Sequence, residues 1–145
     1  MNQLRFIAYG VPQPKGSARA FVPKGWTRPI ITSTNAKNKG WQQLVAEAAS
    51  AAIAADDGFK VIESAAALSV TFHLPRPKSI RDRITDHIKK PDLDKLIRSV
   101  KDALTQVAWQ DDSLVIEIQA RKRYAEPGDT PRADICISEI GRSLL

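Results

Sequence analysis

The chain has 145 residues, of which 43% are hydrophobic and 26% charged, and Cys136 is its single cysteine. These values exclude a long disordered chain, a disulfide-stabilised fold and a cysteine-based zinc site. A chain of this length can bury roughly 70% of its unfolded surface, so we predict a single domain over residues 1–145. Since no apolar stretch is long enough for a signal peptide or a membrane span, we expect a cytoplasmic protein with no membrane partner.

The net charge of +6 is unevenly distributed along the chain. The first 46 residues contain seven Lys and Arg and no acid, whereas residues 47–145 contain 15 basic and 16 acidic residues. A one-sided positive charge is typical of proteins that bind a polyanion such as DNA, because each phosphate that a cation neutralises releases counterions. Solubility alone is the alternative explanation.

The N-terminal third predicts a strand, a basic loop and a helix. Residues Leu4 to Tyr9 predict the first strand, and the prolines and glycines after Gly10 predict a long loop that runs to about Asn35. The loop carries basic residues interleaved with Phe21 and Trp26, which suits contact with phosphates and bases. From Asn35, a plausible N-cap, apolar and alanine positions predict a helix that ends near residues 57–58.

The remaining elements predict a two-layer α+β fold. Alternating apolar residues predict strands at Leu68 to Leu74, Leu114 to about Tyr124 and Ala133 to Ile140, and apolar residues at helical spacing predict a helix from Leu93 to Leu104. The order β-α-β-α-β-β indicates a mixed sheet with helices on one face, and the last two strands are predicted to form an antiparallel hairpin. His73 lies on the polar face of its strand, and we interpret it as structural or solvated.

Four acidic residues flank the second predicted helix. Asp92 and Asp94 surround Leu93 at its start, and Asp111 and Asp112 precede the next strand. Because Leu93 begins the apolar stripe, both neighbours should be presented outside the core, and the parity of Asp112 in the strand would direct it toward the helix layer. Converging carboxylates without cysteine or paired histidine predict a site for Mg²⁺, with Mn²⁺ as a substitute, in a nuclease that hydrolyses phosphodiesters.

Basic residues surround this predicted metal site. Arg98 and Lys101 follow Asp94 on the same helical face, where Arg98 is a candidate catalytic cation for the scissile phosphate and Lys101 a candidate DNA contact. Lys95 lies at the mouth of the site. Two loops supply further candidate DNA contacts, at Lys15, Arg19, Arg76 and Lys78.

A structural role explains each acid equally well when it is taken alone. Asp92 could be an N-cap, Asp94 a first-turn acid favoured by the helix dipole, and the pair Asp111 and Asp112 a polar turn. The two acidic pairs on either side of one amphipathic helix favour the metal site, but both interpretations stay open at this point.

A resemblance to a known family covers residues 91–115, which read PDLDKLIRSVKDALTQVAWQDDSLV. This segment strongly resembles the central motif of the RusA family of Holliday-junction resolvases. The matching residues are Asp92, Asp94, Asp102-Ala103-Leu104, Trp109 and Asp111-Asp112. Gly10-x-Pro12-x-Pro14-Lys15 is also similar to the loop after the first strand in many members, so the resemblance spans most of the chain.

The resemblance implies a homodimer that binds four-way DNA junctions and makes paired symmetric nicks with Mg²⁺ in recombination and repair, in the cytoplasm of a bacterium or a phage-infected host. It implies that Asp92, Asp94 and Asp112 are the essential metal carboxylates and Asp111 their helper. Arg98 would stand where the family has an important lysine, and Lys15 would contact DNA.

Three positions depart from the family pattern. Lys95 replaces a usual asparagine, Leu114 a frequent glutamine, and residues 17–19 a common Arg-Pro-Arg. These departures leave the acidic residues intact and affect phosphate positioning. Two other hypotheses remain: a DNA-binding protein of the same fold that lacks catalysis or junction specificity, and an RNase or general flap nuclease.

Overall fold

The computed structural model describes residues 1–16, 18–21, 24–25, 30–33 and 37–141, with the backbone alone at 18–21 and 30–33. A 3-10 turn, Asp112–Leu114, precedes the fifth strand. The regular elements in this part of the chain are β1 (Gln3–Tyr9), β2 (Ala18–Phe21), β3 (Ile30–Ser33), α1 (Asn38–Ala55), β4 (Ala66–Leu74), α2 (Leu93–Leu104), β5 (Val115–Tyr124) and β6 (Arg132–Glu139).

The main sheet has four strands in the order β1-β6-β4-β5. β6 is antiparallel to both β1 and β4, while β5 is parallel to β4. In the centre of the sheet Leu68 is in register with Ile137 on one side and Ile118 on the other. The mixed sheet and the two helices confirm the predicted α+β class.

The predicted hairpin of the last two strands is wrong. β5 pairs with β4 in parallel, and β4 also pairs with β6, so β4 lies between the last two strands. The turn residues at 126–129 do reverse the chain direction, and Asp129 N donates to Glu126 O at 2.9 Å, as in a tight turn. A turn sequence specifies reversal of the chain, but it does not specify which strand becomes the neighbour.

The predicted irregular loop to residue 35 is also corrected. β2 and β3 pair antiparallel within it, with Ala18 opposite Ser33 and Phe21 opposite Ile30. The helix that follows begins at Asn38 with Lys37 at the N-cap, which makes no side-chain capping hydrogen bond. The predicted N-cap, Asn35, lies outside the described residues, as do Trp26 and the side chain of Phe21.

The core lies between the helices and one face of the sheet. α2 contributes Leu96, Val100 and Leu104, the residues that the helical periodicity predicted. α1 contributes Trp41, Val45 and Ala49. Ser99 of α2 is buried and its hydroxyl donates to Asn38 Oδ1, and Gln42 Nε2 donates to Ser99 O at 3.0 Å, so polar contacts also fix the helix pair.

The helices leave the opposite face of the sheet and part of β5 uncovered. On the helix-free face Arg5, Ser69 and Arg121 are exposed. On the helix side Ile118 is 40% exposed, although its partner Leu68 is buried. β5 is therefore an edge strand that α2 covers incompletely, and this gap becomes part of the site described below.

His73 is buried, and its Nε2 lies 2.9 Å from Asp134 Oδ2 on the neighbouring strand. This contact agrees with the structural interpretation of His73. In the described part of the chain, no helix combines the length and the apolar character needed to cross a bilayer.

Candidate active site

Asp92 immediately precedes α2, and Asp94 lies in its first turn. Asp92 is the N-cap residue, with an extended backbone (φ −71°, ψ 141°), and its carbonyl accepts the first helical hydrogen bond from Leu96 N at 3.2 Å. Its carboxylate makes no capping hydrogen bond. Asp94 lies inside the helix, is exposed, and extends toward β5. The structural role considered for Asp92, a side-chain cap, is therefore not what its carboxylate does.

A cavity of about 330 Å³ lies between α2 and β5, and we call it the strand-side cavity. Asp94 and Asp112 both line it, together with the two cations Arg98 and Lys101. Ile97 and Ile118 complete the lining. The structure thus brings together the second acid of the first pair and the second acid of the second pair, with two of the predicted cations.

Asp111 has a local structural role beside this cavity. Its Oδ1 accepts a hydrogen bond from Ser113 N at 3.1 Å and so caps the 3-10 turn. This backbone N–H, followed by the neighbouring Asp112 carboxyl, lowers the pKa of Asp111 below its usual value. Asp111 fixes the turn that presents Asp112, and Asp112, the first residue of that turn, is half-buried.

Trp109 anchors the segment that leads to the second acidic pair. Its side chain is fully buried in the core, and its Nε1 donates to Thr105 Oγ1 at 3.4 Å. On either side of Trp109, Ile62 N donates to Ala108 O at 2.9 Å and Gln110 N donates to Ile62 O at 3.0 Å. The connection after α2 is therefore held to the body of the protein immediately before Asp111.

Asp92 lines a different cavity, of about 450 Å³, which we call the loop-side cavity. Its walls are the segment 11–14 after β1, the end of β4 at residues 74–75, His87, and the residues 90–92 that lead into α2. Lys95, one turn into the helix, lies in the same cavity as Asp92. The two cavities have no lining residue in common.

The predicted convergence of four carboxylates is not present among the described residues, where no three His, Cys, Asp or Glu side chains form a group able to hold a metal ion. The donor set of the strand-side cavity nevertheless fits a hard cation, because Mg²⁺ is usually bound by one or two carboxylates, waters and substrate phosphates. Asp94 and Asp112 supply two such carboxylates in a cavity with room for a partly hydrated ion.

A comparison with known protein families identifies the family of the chain. The model of the family described as Endodeoxyribonuclease RusA matches residues 11–138, which is most of the chain and includes both acidic pairs. The chain belongs to the RusA family. RusA proteins are endodeoxyribonucleases that act on branched DNA junctions, so the general class of activity is that of a DNA nuclease.

A curated relative aligns along nearly the whole of both chains. The chain is 29% identical over 150 residues to a Bacillus subtilis (strain 168) protein named "Uncharacterized protein YqaN", and the alignment covers 97% of this chain and 99% of that protein. Its printed name assigns no activity. The similarity therefore covers nearly all of this RusA-type chain, and it adds nothing about substrate.

The predicted DNA contacts of this RusA protein have different surroundings. The Lys15 ammonium forms an ion pair with Asp102 of α2, and Arg76 donates from Nε to Ala125 O at 2.8 Å and from Nη1 to Arg81 O at 2.9 Å. Lys78 is exposed, and the side chain of Arg19 lies outside the described residues. Arg76 thus organises the loop after β4, and its contact with DNA stays a prediction, as do those of Lys15, Lys78 and Arg19.

The sequence interpretation missed three residues of the site. Ile118 lines the strand-side cavity, Lys90 lines the loop-side cavity, and Asp102 holds Lys15. The period-2 pattern of β5 could have placed Ile118 on the helix side, because residues of one parity share one face of a strand. Nothing in the sequence signals the ion pair between Lys15 and Asp102, which are 87 residues apart.

Proposed function

We propose that this RusA protein is a Mg²⁺-dependent endodeoxyribonuclease that cuts four-way DNA junctions by paired symmetric nicks, acting as a homodimer. One observation carries the proposal: the strand-side cavity joins two carboxylates, Asp94 and Asp112, to two cations, Arg98 and Lys101. Acids alone would repel a DNA phosphate, and cations alone would only bind it. A site with both can hold a cation and a phosphodiester side by side.

Each side chain of the strand-side cavity has a distinct task in this proposal. Asp94 and Asp112 would hold the Mg²⁺ ion, and Asp111 would fix Asp112. Asp92 lines the loop-side cavity, and we propose it as a further ligand that would reach the ion from the other side of Leu93. When bound, the ion supplies Lewis-acid stabilisation of phosphate charge and lowers the pKa of water. Among the described residues no ion pair engages Arg98 or Lys101, so both remain available to a phosphate.

The replacement of the family's lysine by Arg98 bears on phosphate geometry. An arginine presents a planar fork with several donors, whereas a lysine presents one point charge on a flexible stem. Arg98 is exposed on the helix surface and lines the cavity from one side. We infer that it binds the scissile phosphate with two parallel hydrogen bonds and so orients the phosphate rather than only neutralising it.

Dimerisation follows from the substrate. A four-way junction has two equivalent strands to cut, and each chain offers one strand-side cavity. A two-fold dimer would present two such cavities to a two-fold substrate. The basic residues of the N-terminal third and of the loop after β4 would provide the salt-dependent part of the affinity.

The test is a nicking assay on a mobile four-way junction with Mg²⁺ or Mn²⁺. The wild type is expected to nick two opposed strands, and Asp94→Asn to bind the junction without nicking it. Asp57→Asn, which changes an exposed acid in the turn after α1, is the control and should nick normally.

The same assay separates the alternatives. Binding without nicking by the wild type in either metal would show a binding protein of RusA fold. Rates on a flap, a linear duplex and an RNA hairpin would identify a less selective nuclease. A preference for the junction below about tenfold, or roughly 1.4 kcal/mol, would contradict junction selectivity.

A further inference from the structure

The loop-side cavity has the size and composition of a ligand site. The reaction proposed for the strand-side cavity does not use it. Its volume of about 450 Å³ lies within the range of roughly 300–1,000 Å³ that is typical of small-molecule sites. It is mostly apolar, and its three charged residues, Lys90, Asp92 and Lys95, lie at the start of α2 or immediately before it. A cavity of this kind is unexpected at the edge of a purely phosphate-binding surface.

Prolines form much of the wall. Pro12, Pro14, Pro75 and Pro91 line the cavity, and Pro12 is fully buried. Proline rings are compact and rigid, and proline has no backbone N–H donor, so they offer apolar surfaces that need no hydrogen bond. Enzymes that accept an extruded base hold its faces between apolar or aromatic side chains. The proline wall suits the face of a nucleobase.

The charges around the cavity suit a phosphate. Lys90 and Lys95 line it, and Asp92 is the one acid in the lining. No salt bridge within the described residues involves either lysine. An apolar interior beside two free ammonium groups matches the two halves of a nucleotide, a base and its phosphate, better than it matches a peptide or a lipid.

Two polar side chains can address the edge of a base. Gln13 lines the cavity and its carboxamide, with one donor and one acceptor side, has no hydrogen bond to any described residue. His87 also lines the cavity, and its ring packs against Tyr124 with the ring centroids 4.8 Å apart and the planes tilted by 57°. Burial and the nearby Lys122 lower the pKa of His87, so at neutral pH its imidazole is uncharged. Its buried Nδ1 has no hydrogen-bond partner among the described residues and can pair with one polar group of a base.

The walls are held in place by hydrogen bonds from three elements. Lys15 N donates to Lys95 O at 3.0 Å, which ties the loop after β1 to α2. Lys122 Nζ donates to Pro91 O at 2.8 Å, which ties the start of α2 to β5. Tyr124 N donates to Thr85 O at 2.9 Å. The cavity is thus preformed, and little ordering of the protein would oppose binding.

The position of the cavity connects it to the reaction. Asp92 and Asp94 flank Leu93, so the two cavities open on opposite sides of the first turn of α2. A strand with its scissile phosphate in the strand-side cavity would carry a neighbouring nucleotide over this turn. We propose that the loop-side cavity receives one unpaired nucleobase from the DNA strand next to the scissile phosphate.

This inference rests on the proposed function and adds a source of selectivity to it. Extruding a base from an intact duplex costs a few kcal/mol, and the cost is lowest where the base is already unpaired or unstacked. The branch point of a junction offers such bases. A duplex would bind through its phosphates but would leave the loop-side cavity empty.

The experiment uses the full-length protein and a four-way junction that carries 2-aminopurine at successive positions near the branch point, with Ca²⁺ in place of Mg²⁺ so that binding is seen without cutting. The fluorescence should rise on binding at one or two positions beside the later nick site, because the base leaves the stack. A duplex with the same label should show no rise.

Val11→Trp tests whether the loop-side cavity is the receptor. Val11 is 45% exposed and lines the cavity, so an indole there would fill it. Val61→Trp is the matched control, because Val61 is 42% exposed and lines neither cavity. Val11→Trp should abolish the fluorescence rise and slow junction nicking about tenfold, or ~1.4 kcal/mol, while Val61→Trp retains both.

Gln13→Ala leaves the cavity open and tests whether Gln13 recognises the polar edge of the base. It should retain the fluorescence rise and reduce the difference in nicking rate among junctions that differ only in that base. The inference is overturned if the bound wild type gives no rise at any position, or if Val11→Trp behaves as Val61→Trp does. If the wild type does not bind the junction at all, the proposed function fails and this inference falls with it.

Discussion

The two sides of the first turn of α2 differ in chemistry although only Leu93 separates their acids. On the strand side, Asp94 and Asp112 share a cavity with Arg98 and Lys101. On the loop side, Asp92 lies among prolines and lysines. The difference teaches that Asp-x-Asp is not one structural unit here, because Asp92 precedes the helix with an extended backbone and Asp94 follows the helical geometry.

The strand side is suited to bond cleavage and the loop side to recognition. The first has balanced charges on rigid elements, a helix and a strand entrance, as a catalytic group needs for exact positioning. The second has an apolar interior behind two cations. If this division is correct, changes on the strand side should lower the rate of nicking, and changes on the loop side should alter which DNA is nicked.

The largest expected effect comes from the second acidic pair. Asp112→Asn should slow nicking by roughly 10³-fold, because a metal ligand supports several kcal/mol of transition-state stabilisation at about 1.4 kcal/mol per tenfold in rate. Asp111→Asn should cost about tenfold or less, since the asparagine oxygen can still accept from Ser113 N. Single-turnover rates measure both. Equal losses would show that Asp111 is itself a principal ligand.

The next effect concerns the cation of the strand-side cavity. Arg98→Ala should reduce the rate of nicking by roughly 10²-fold with little change in junction affinity, as for the loss of one group that stabilises developing charge. Arg98→Lys should recover part of this loss, because the charge returns without the planar fork. Arg121→Ala, on the helix-free face, is the control. A loss of affinity equal to the loss of rate would make Arg98 a simple DNA contact.

A smaller effect tests the ion pair that ties the loop after β1 to α2. Each of Lys15→Ala and Asp102→Ala should lower the free energy of unfolding by less than ~1 kcal/mol, since the pair is partly exposed. If Lys15 also contacts DNA, Lys15→Ala should reduce the salt dependence of junction binding by about one counterion, and Asp102→Ala should not. Identical salt slopes in the two variants would leave Lys15 with a structural role only.

The smallest expected effect is a pH dependence of the free energy of unfolding that arises from His87 in the loop-side cavity. Because burial and the charge of Lys122 lower the pKa of His87 more than backbone hydrogen bonds at His87 and Lys89 raise it, the unfolded chain binds this proton more readily than the folded chain does. The contribution of His87 to the free energy of unfolding is therefore complete above a pH of about 6.5. It is lost as the pH falls from there toward the lowered pKa of the folded state.

Urea unfolding at neutral and mildly acidic pH, compared between wild type and His87→Gln, measures this effect. The wild type should lose more stability than His87→Gln across that interval. His73 is unchanged in both proteins and so cancels in the difference. An equal loss in the two proteins would show that His87 is solvated enough to titrate normally.

Apolar periodicity predicted those parts of the fold in which one face is buried. The spacing of Leu96, Val100 and Leu104 specified α2, and the alternation from Leu68 to Leu74 specified β4, because burial on one side leaves a repeating signature. The acids and cations of the strand-side cavity were also predicted, since they occupy fixed positions relative to that helix. These are consequences of local geometry.

The pairing of distant segments was not predictable in the same way. The insertion of β4 between β5 and β6 depends on which strands meet in space, and the turn at 126–129 has the same sequence signals in either arrangement. The hairpin of β2 and β3 lies among glycines and prolines that indicated an irregular loop. The loop-side cavity is assembled from segments up to 84 positions apart, Val11 and Lys95, and no local pattern records it.

Ile62, an apolar residue, extends the site to the segment between the first helix and the fourth strand. Its backbone forms hydrogen bonds to Ala108 and Gln110, immediately before the second acidic pair. Loss of these two backbone hydrogen bonds would shift Asp112 without altering any residue that touches DNA. Inactivating substitutions can therefore be expected at Ile62, an apolar residue that a survey of charged or polar side chains would pass over.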